Sequence, residues 1–230
     1  MEIRNLNVSY RKNHVLHDLN LDFAEESING LVGMNGAGKT TLLRTIFGSK
    51  KPDTGSIVWK RETVRPATIG FLETENFFYP KMKGGEYLNI FKLSNPKFNP
   101  EQWNALFELP LNKLVDEYST GMKKKLALMG VIGLDKPILM LDEPFNGVDL
   151  ESNEKIKLII QKLKEQGKTI IVTSHILETL TTICDQISIL YGGGVDQTAS
   201  KENFDEVKDF LHRNISENAQ SKIDKIFNEE

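Results

Sequence analysis

The sequence predicts an α/β protein with a mostly parallel sheet as its core, an antiparallel β subdomain and an inserted helical subdomain. A glycine-rich stretch lies between an apolar strand pattern and a helical pattern within residues 27–47. Short apolar runs alternate with amphipathic helical patterns over residues 134–191, which is typical of parallel sheets. Residues 74–133 have a helical pattern interrupted by prolines, which indicates an insertion into that core.

Alternating polar and apolar residues open the chain at residues 3–8 and 15–23, with Asn13 and His14 between them. Alternation with a period of two predicts strands, and the short separation predicts an antiparallel pair. The later segments follow from apolar runs of strand length and from apolar residues at helical spacing. In chain order they are a strand at 27–32, a helix at 39–47, strands at 56–59 and 68–72, helices at 86–93, at 100–109 and from 119, a strand at 137–141, a helix at 154–164, a strand at 168–173, a helix at 177–183, a strand at 186–191 and an edge strand after the 192–194 glycine turn.

We assign residues 1–200 to one domain, with its core in residues 1–73 and 134–200 and its helical subdomain in residues 74–133. Residues 201–230 are a charged C-terminal extension that we expect to be helical. Four of its apolar residues fall on one face of a helix, which predicts a docking surface without chemistry of its own: Phe204, Val207, Phe210 and Leu211.

The composition is that of a globular protein with a sizeable core, since 39% of the 230 residues are hydrophobic and 27% are charged. The net charge of −3 argues against a nucleic-acid partner held by bulk electrostatics. Cys184 is the single cysteine, so no internal disulfide can form and a reducing cytosol is expected. The first residues lack a signal-peptide pattern, and the apolar runs are far shorter than the roughly 20 residues that span a bilayer. If the protein works at a membrane, another chain is therefore expected to supply the spans.

Residues 33–41 match the phosphate-binding pattern G-x-x-x-x-G-K-[ST], with Gly33, Gly38, Lys39 and Thr40 at the fixed places. Glycines let the backbone approach a polyphosphate, and the helix that follows adds the partial positive charge of its N-terminus. Lys39 is expected to contact the β- and γ-phosphates, and Thr40 to ligate Mg²⁺. A plain glycine-rich turn before a helix is the alternative, which the strand–loop–helix setting disfavours. The residues predicted to bind the phosphates are Asn35, Gly36, Ala37, Gly38, Lys39, Thr40 and Thr41.

Two predicted strand ends carry further polar residues, and strand ends carry the ligands in open α/β sheets. Asp142 ends an apolar strand and is expected to hold Mg²⁺ together with Thr40. Glu143 follows it and is expected to accept a proton from a water aimed at the γ-phosphate. His175 follows another apolar strand, where it would contact the γ-phosphate or that water. The alternatives are a turn-capping Asp142, a solvated Glu143 and a structural His175.

Three other features are interpreted from the residues alone. Tyr10 ends the first strand, where its ring would either cover the sheet edge or provide a face on which adenine stacks. Ser119 is a natural helix N-cap. The charge run Lys123–Lys125 predicts a solvated helix face.

The motifs together resemble those of the nucleotide-binding subunit of an ATP-binding cassette (ABC) transporter, over roughly residues 1–198. Tyr10 falls where that family places its adenine-stacking aromatic residue, which favours the second interpretation of this residue. In chain order, residues 33–41 resemble the Walker A loop, residues 119–123 the signature sequence, residues 138–144 the Walker B strand with its catalytic glutamate, residues 145–149 the D-loop, and residues 174–175 the switch histidine.

The resemblance implies a P-loop NTPase cassette that hydrolyses ATP with Mg²⁺ in a head-to-tail dimer. Ser119 and Gly121 of one subunit would bind the γ-phosphate held by the other, and Asp149 would cross the interface. The resemblance also implies an integral membrane permease on a separate chain, and therefore a position on the cytoplasmic face of the cell membrane. Homodimer and heterodimer both stay open, and no nucleic-acid partner is expected.

The sequence departs from the family pattern at two places. Thr120 and Met122 stand where the usual signature has glycine and glutamine, a variant that resembles the exporter-type subgroup with separate permeases. Residues 73–75 read Glu-Thr-Glu where the family has a glutamine. Which residue takes the role of that glutamine side chain is left open. The transported substrate is not predicted, and export is favoured over import only through the resemblance of this signature variant.

Two other classes of function compete with the transporter interpretation. A soluble cassette ATPase acting on nucleic acid or ribosomes is the first, although such relatives usually carry two cassettes or long coiled-coil inserts. A module that only senses ATP is the second, and the presence of both Glu143 and His175 counts against it.

Overall fold

Two β-sheets with different strand directions organise the chain. The computed structural model describes residues 1–211 together with residues 216, 220 and 227. The strands are β1 (Glu2–Tyr10), β2 (Asn13–Asp22), β3 (Ile28–Val32), β4 (Thr54–Trp59), β5 (Glu62–Thr63), β6 (Ile69–Leu72), β7 (Ile138–Asp142), β8 (Thr169–Ser174), β9 (Gln186–Tyr191) and β10 (Gly194–Ser200). The helices are α1 (Lys39–Phe47), α2 (Gly84–Ser94), α3 (Pro100–Phe107), α4 (Thr120–Gly133), α5 (Leu150–Glu165) and α6 (Leu177–Thr181).

The larger sheet has the strand order β10-β9-β3-β8-β7-β6. All neighbouring strands in it run parallel except β9 and β10, which pair antiparallel. Strands β3, β7 and β8 are buried along their whole length, as their continuous apolar runs predict for the middle of a parallel sheet. The mostly parallel core is therefore confirmed.

The smaller sheet is antiparallel throughout, with the order β2-β1-β4-β5. Its strand pair β1–β2 confirms the predicted hairpin, but Asn13 and His14 belong to β2 and the turn is made by Arg11 and Lys12. Strand β5 was not predicted, because its two exposed residues carry no apolar pattern.

Helices α2, α3 and α4 lie between β6 and β7 in the chain, within the stretch predicted to be a helical insertion. Helix α4 is buried from Leu126 to Gly133, and its apolar residues pack against both the sheet and the other two helices. Its first turn begins at Ser119, whose Oγ accepts a hydrogen bond from the backbone N–H of Met122 at 3.2 Å. The predicted N-cap is therefore correct.

Helix α5 begins earlier than predicted, at Leu150 rather than at residue 154. Its N-cap is Asp149, which accepts the backbone N–H of Ser152 at 2.8 Å. Leu150 is exposed, and the first deeply buried apolar residue of the helix is Ile156, so apolar periodicity gave no sign of the first turn. The capping aspartate was the available signal.

The C-terminal segment packs on this chain's own core. Residues 204–211 are helical, Phe204 and Val207 are buried in the core, and Phe210 and Leu211 pack against it while partly buried. The face predicted as a docking surface is thus occupied within the chain. The rest of the predicted extension, residues 212–230 apart from residues 216, 220 and 227, lies outside the described residues.

Among the helices of the described residues, none combines the length and the apolar character needed to cross a bilayer.

Replacing Phe204 by alanine should lower the free energy of unfolding by about 3 kcal/mol, because a buried aromatic ring is lost and a cavity remains. Phe227→Ala is the matched control, since Phe227 is an exposed phenylalanine of the same C-terminal region and its loss should cost less than about 0.5 kcal/mol. Urea denaturation of both variants measures the difference. Equal midpoints for the two variants would contradict the docking of residues 204–211.

Candidate functional site

The glycine-rich loop borders an open cleft of about 590 Å³ at the carboxyl ends of the parallel strands. Such a volume lies in the range of small-molecule sites. All seven residues predicted to bind phosphates line the cleft, and so do Glu143 and His175. The full lining is Val15, Met34, Asn35, Gly36, Ala37, Gly38, Lys39, Thr40, Thr41, Thr74, Glu143, Asn146 and His175.

The loop meets helix α1 at Gly38, which is the helix N-cap with φ of 106°. A side chain at this position would combine the left-handed backbone with a Cβ only 2.7 Å from Leu16 Cδ2, so the turn requires glycine. Because α1 starts directly after it, the N-terminus of this helix faces the cleft and favours an anion there.

Lys39 is the buried cation of the loop. Its Nζ donates a hydrogen bond to the carbonyl oxygen of Gly33 at 2.6 Å and lies 3.8 Å from Glu143 Oε1. Burial lowers the pKa of Lys39, while the nearby carboxylates of Glu143 and Asp142 oppose that shift. The ammonium is therefore held by partners within the chain that a phosphate group can replace.

Asp142 ends β7, has no exposed surface, and accepts hydrogen bonds from three threonine hydroxyls. Thr40 and Thr74 both donate to Oδ2, at 2.7 Å each. Thr173 donates to Oδ1 at 2.6 Å. Each hydroxyl comes from a different segment: helix α1, the residues after β6, and the end of β8. The carboxylate thus joins three parts of the chain at one point beside the cleft.

Glu143 follows Asp142 but faces another way, because its backbone φ is 50°, a left-handed conformation that is uncommon for residues other than glycine. Its backbone N–H donates to Thr173 Oγ1 at 3.0 Å, which holds this turn. Its carboxylate is largely buried, and Oε2 accepts a hydrogen bond from His175 Nδ1 at 2.9 Å. Glu143 is therefore not a solvated charge, and its carboxylate stands between Lys39 and His175.

The predicted solvated face at Lys123–Lys125 is wrong for two of its three lysines. Lys124 is only 4% exposed, and its Nζ donates to the carbonyl oxygens of Thr74 at 2.9 Å and Glu73 at 3.3 Å. Lys125 Nζ contacts Asp149 Oδ2 at 3.2 Å and Ser152 Oγ at 3.1 Å. A run of identical charges carries no periodicity, so no local pattern indicated which lysines turn inward.

Ser119, Gly121 and Asp149 lie outside the cleft of their own chain. Ser119 is exposed at the start of α4. A Cβ on Gly121 would lie 2.6 Å from the carbonyl oxygen of Gly147, so this glycine lets α4 contact the 145–149 loop. Asp149 caps α5, and its hydrogen bonds to Ser152 hold the pKa of its carboxyl well below the usual range. One chain therefore does not bring these three residues to the phosphate loop.

Tyr10 also stays outside the cleft. It ends β1, is 42% exposed, and has Lys50 Nζ 4.8 Å from its ring centroid, a cation–π contact. Its predicted role of stacking on adenine stays a prediction.

Four residues at or beside the cleft were not predicted from the sequence: Thr74, Lys124, Asn146 and Thr173. Thr173 had a usable signal, because a polar residue near the end of a buried strand lies beside a residue of the neighbouring strand, and here it pairs in register with Asp142. Thr74 stands within the stretch where the family glutamine is missing. Nothing in the local pattern indicated Lys124 or Asn146.

Comparison with known proteins identifies the family of this site. A family model described as "ABC transporter" matches residues 16–146. The chain is also 32% identical over 199 residues to the ABC transporter ATP-binding protein YtrB of Bacillus subtilis, a match that covers 83% of this chain and 68% of YtrB. The chain belongs to the ABC transporter ATP-binding family.

Two further comparisons agree with this family and with its fold. This ABC cassette is 27% identical over 219 residues to the lantibiotic transport ATP-binding protein SrtF of Streptococcus pyogenes, which covers 90% of this chain and 95% of SrtF. A dimeric post-hydrolysis state of the ATP-binding cassette MJ0796, bound to ADP and Pi, has a TM-score of 0.77 at 22% identity, over 87% of this chain and 98% of that chain. The predicted cassette fold is confirmed.

Replacing Thr173 by valine in this ABC cassette should lower the free energy of unfolding by about 1–3 kcal/mol, because the Glu143 N–H and Asp142 Oδ1 both lose their buried partner. Thr173→Ser keeps the hydroxyl and is the control. Chemical denaturation of the two variants measures the cost. If the valine and serine variants unfold at the same denaturant concentration, the hydroxyl does not organise this strand end.

Proposed function

We propose that this cassette hydrolyses ATP to power a transporter whose permease is a separate chain. The observation that carries the proposal is the position of Glu143 at the cleft. Its carboxylate is held between Lys39 and His175, beside a buried Asp142 that already shares a hydrogen bond with Thr40. A phosphate-binding loop, a metal-side carboxylate and a second carboxylate at the cleft are the parts that nucleotide hydrolysis requires.

Binding of ATP would use the loop residues 35–41. Lys39 would exchange its contacts with the Gly33 carbonyl and Glu143 for the β- and γ-phosphates, since a phosphate oxygen is the stronger partner for an ammonium. Thr40 and Asp142 would hold Mg²⁺, which fits them because hydroxyl and carboxylate oxygens are the hard ligands that this ion prefers. The bound ion would neutralise charge on the phosphates.

Hydrolysis would use Glu143 as the general base. The release of Lys39 to the phosphates leaves Oε1 of Glu143 free to accept a proton from a water in line with the γ-phosphate. His175 keeps Oε2 in place through the 2.9 Å hydrogen bond, so the free oxygen is directed toward the cleft. The left-handed backbone at Glu143 separates this carboxylate from the metal-side carboxylate of Asp142.

Ser119 and Gly121 lie outside the cleft of their own chain, which supports a dimer. Ser119 lies at the exposed start of α4, a helix N-terminus that can bind an anion, yet it lies outside the cleft of its own chain. A second copy of the chain, or a related subunit, would present Ser119 and Gly121 to the γ-phosphate from the opposite side. Asp149 accepts a hydrogen bond from Ser152 within its own chain. It would connect the two nucleotide sites through the 145–149 loop, which Gly121 contacts.

The stretch after β6 supports a docking site for the permease. Phe77 and Tyr79 are 75% and 61% exposed, and their rings form an edge-to-face pair with centroids 5.3 Å apart. Exposed aromatic pairs are typical of protein interfaces. The names of YtrB and SrtF as transport ATP-binding proteins support the same assignment. The cassette would then sit on the cytoplasmic face of the membrane that holds the permease.

Replacing Glu143 by glutamine should lower kcat for ATP hydrolysis by about 100-fold or more, because the amide cannot accept the proton of the water. ATP binding should persist, and the ATP-bound dimer should accumulate in size-exclusion chromatography. Glu165→Gln is the control and should keep wild-type turnover. Glu165 is an exposed glutamate at the C-terminal end of α5 and does not line the cleft. Wild-type kcat in the Glu143 variant would refute the general-base assignment.

The double variant Phe77→Ser/Tyr79→Ser should fail to capture the permease from detergent-solubilised native membranes, because it removes the exposed aromatic pair. Basal hydrolysis by the purified variant should be unchanged. Leu93→Ser, at another highly exposed apolar residue, is the control and should capture the permease like the wild type. Mass spectrometry of the captured chains measures the result. Recovery of ribosomes or nucleic acid in place of a polytopic membrane protein would favour the soluble ATPase instead.

A further inference from the structure

Lys124 is a buried lysine whose position the proposed reaction does not yet explain. We propose that Lys124 is a positioning residue that holds Thr74 at the metal side of the cleft, where the Thr74 hydroxyl serves as a Mg²⁺ ligand. Thr74 would thereby take the place of the family's missing glutamine. This inference rests on the proposed function, since it concerns the same nucleotide site.

The burial of Lys124 is the first observation. A lysine is rarely buried unless it is paired, and Lys124 lies between two lysines that remain closer to solvent on the same helix. Its ammonium gains two backbone carbonyls, those of Glu73 and Thr74. Burial lowers the pKa of Lys124, and the carboxylates of Asp142 and Glu143 oppose that shift. The ammonium thus lies in the field of the two site carboxylates.

The segment that Lys124 holds is the second observation. Residues 73–74 follow β6, which ends the larger sheet in the described chain, and the last paired residue of β6 is Leu72. The backbone at Glu73 and Thr74 has therefore left the sheet. The two hydrogen bonds from Lys124 take the place of sheet bonds and fix these carbonyls against α4.

The third observation is the position of the Thr74 side chain. Its Oγ1 donates to Asp142 Oδ2 at 2.7 Å, and Thr40 Oγ1 donates to that same oxygen at the same distance. Thr40 and Thr74 line the cleft, whereas Thr173 contacts the other oxygen of Asp142. Two hydroxyls and one carboxylate oxygen therefore converge at the cleft wall. This is a set of hard oxygen donors that fits Mg²⁺, which takes few protein ligands beside phosphates and water.

Metal affinity is the test, with Mn²⁺ as the probe and electron paramagnetic resonance as the readout, in the presence of saturating ATP. Thr74→Val and Lys124→Met should each weaken Mn²⁺ affinity about tenfold, the lower end of the effects seen for groups that orient metal ligands. Binding of a fluorescent ATP analogue in EDTA should be unchanged in both. Thr74→Ser should keep the wild-type Mn²⁺ affinity, and Lys123→Met is the control for loss of a charge on α4.

The double variant separates positioning from a merely structural role. If Lys124 acts through Thr74, Lys124→Met/Thr74→Val should bind Mn²⁺ no more weakly than Thr74→Val alone. Wild-type Mn²⁺ affinity in Thr74→Val overturns the proposal, even if Lys124→Met fails to fold. Lower thermal stability with unchanged Mn²⁺ affinity in Lys124→Met overturns the positioning role. Because these measurements need no turnover, they hold whether or not the chain hydrolyses ATP.

Discussion

The buried carboxylate of Asp142 is the constraint on which the site depends. A charged group without solvent contact must be satisfied by hydrogen bonds and by nearby opposite charge. Three threonine hydroxyls supply the hydrogen bonds, and Lys39 and Lys124 are the cations that respond to its charge. To meet this requirement the chain must bring the phosphate loop, the end of β6 and the end of β8 to one point. The geometry of the cleft follows from that convergence.

The same requirement explains which parts of the site could be predicted from the sequence. Asp142 and Glu143 end a strand, and the phosphate loop has a fixed spacing, so local patterns revealed them. The central strands were equally clear, because burial on both faces forces a continuous apolar run. Thr74 and Lys124 act only through partners about 50 to 70 residues away in the chain. Their roles depend on tertiary contacts, which no local pattern encodes.

Two of the misjudged features share a physical cause. The lysine run on α4 and the polar first turn of α5 both look solvated, because charged residues usually face water. In the structure they contact each other, as Lys125 pairs with Asp149 at the α5 N-cap. Together with the contact between Gly121 and the 145–149 loop, this pair links α4 to the loop that follows Glu143. The two segments that are proposed to face a second nucleotide are therefore in direct contact with each other.

The left-handed backbone at Glu143 also has an evolutionary consequence. A positive φ strongly disfavours β-branched side chains but tolerates glycine, asparagine and aspartate. Thr173 meanwhile holds the turn through the backbone N–H of residue 143, whatever the side chain at that position. Mutation at this one position can therefore remove the proposed general base and leave the turn, the phosphate loop and the carboxylate of Asp142 intact. A gene duplicate could drift in this way into a subunit that binds ATP without hydrolysing it. Pairing such a copy with an unchanged one would give a heterodimer with one working site.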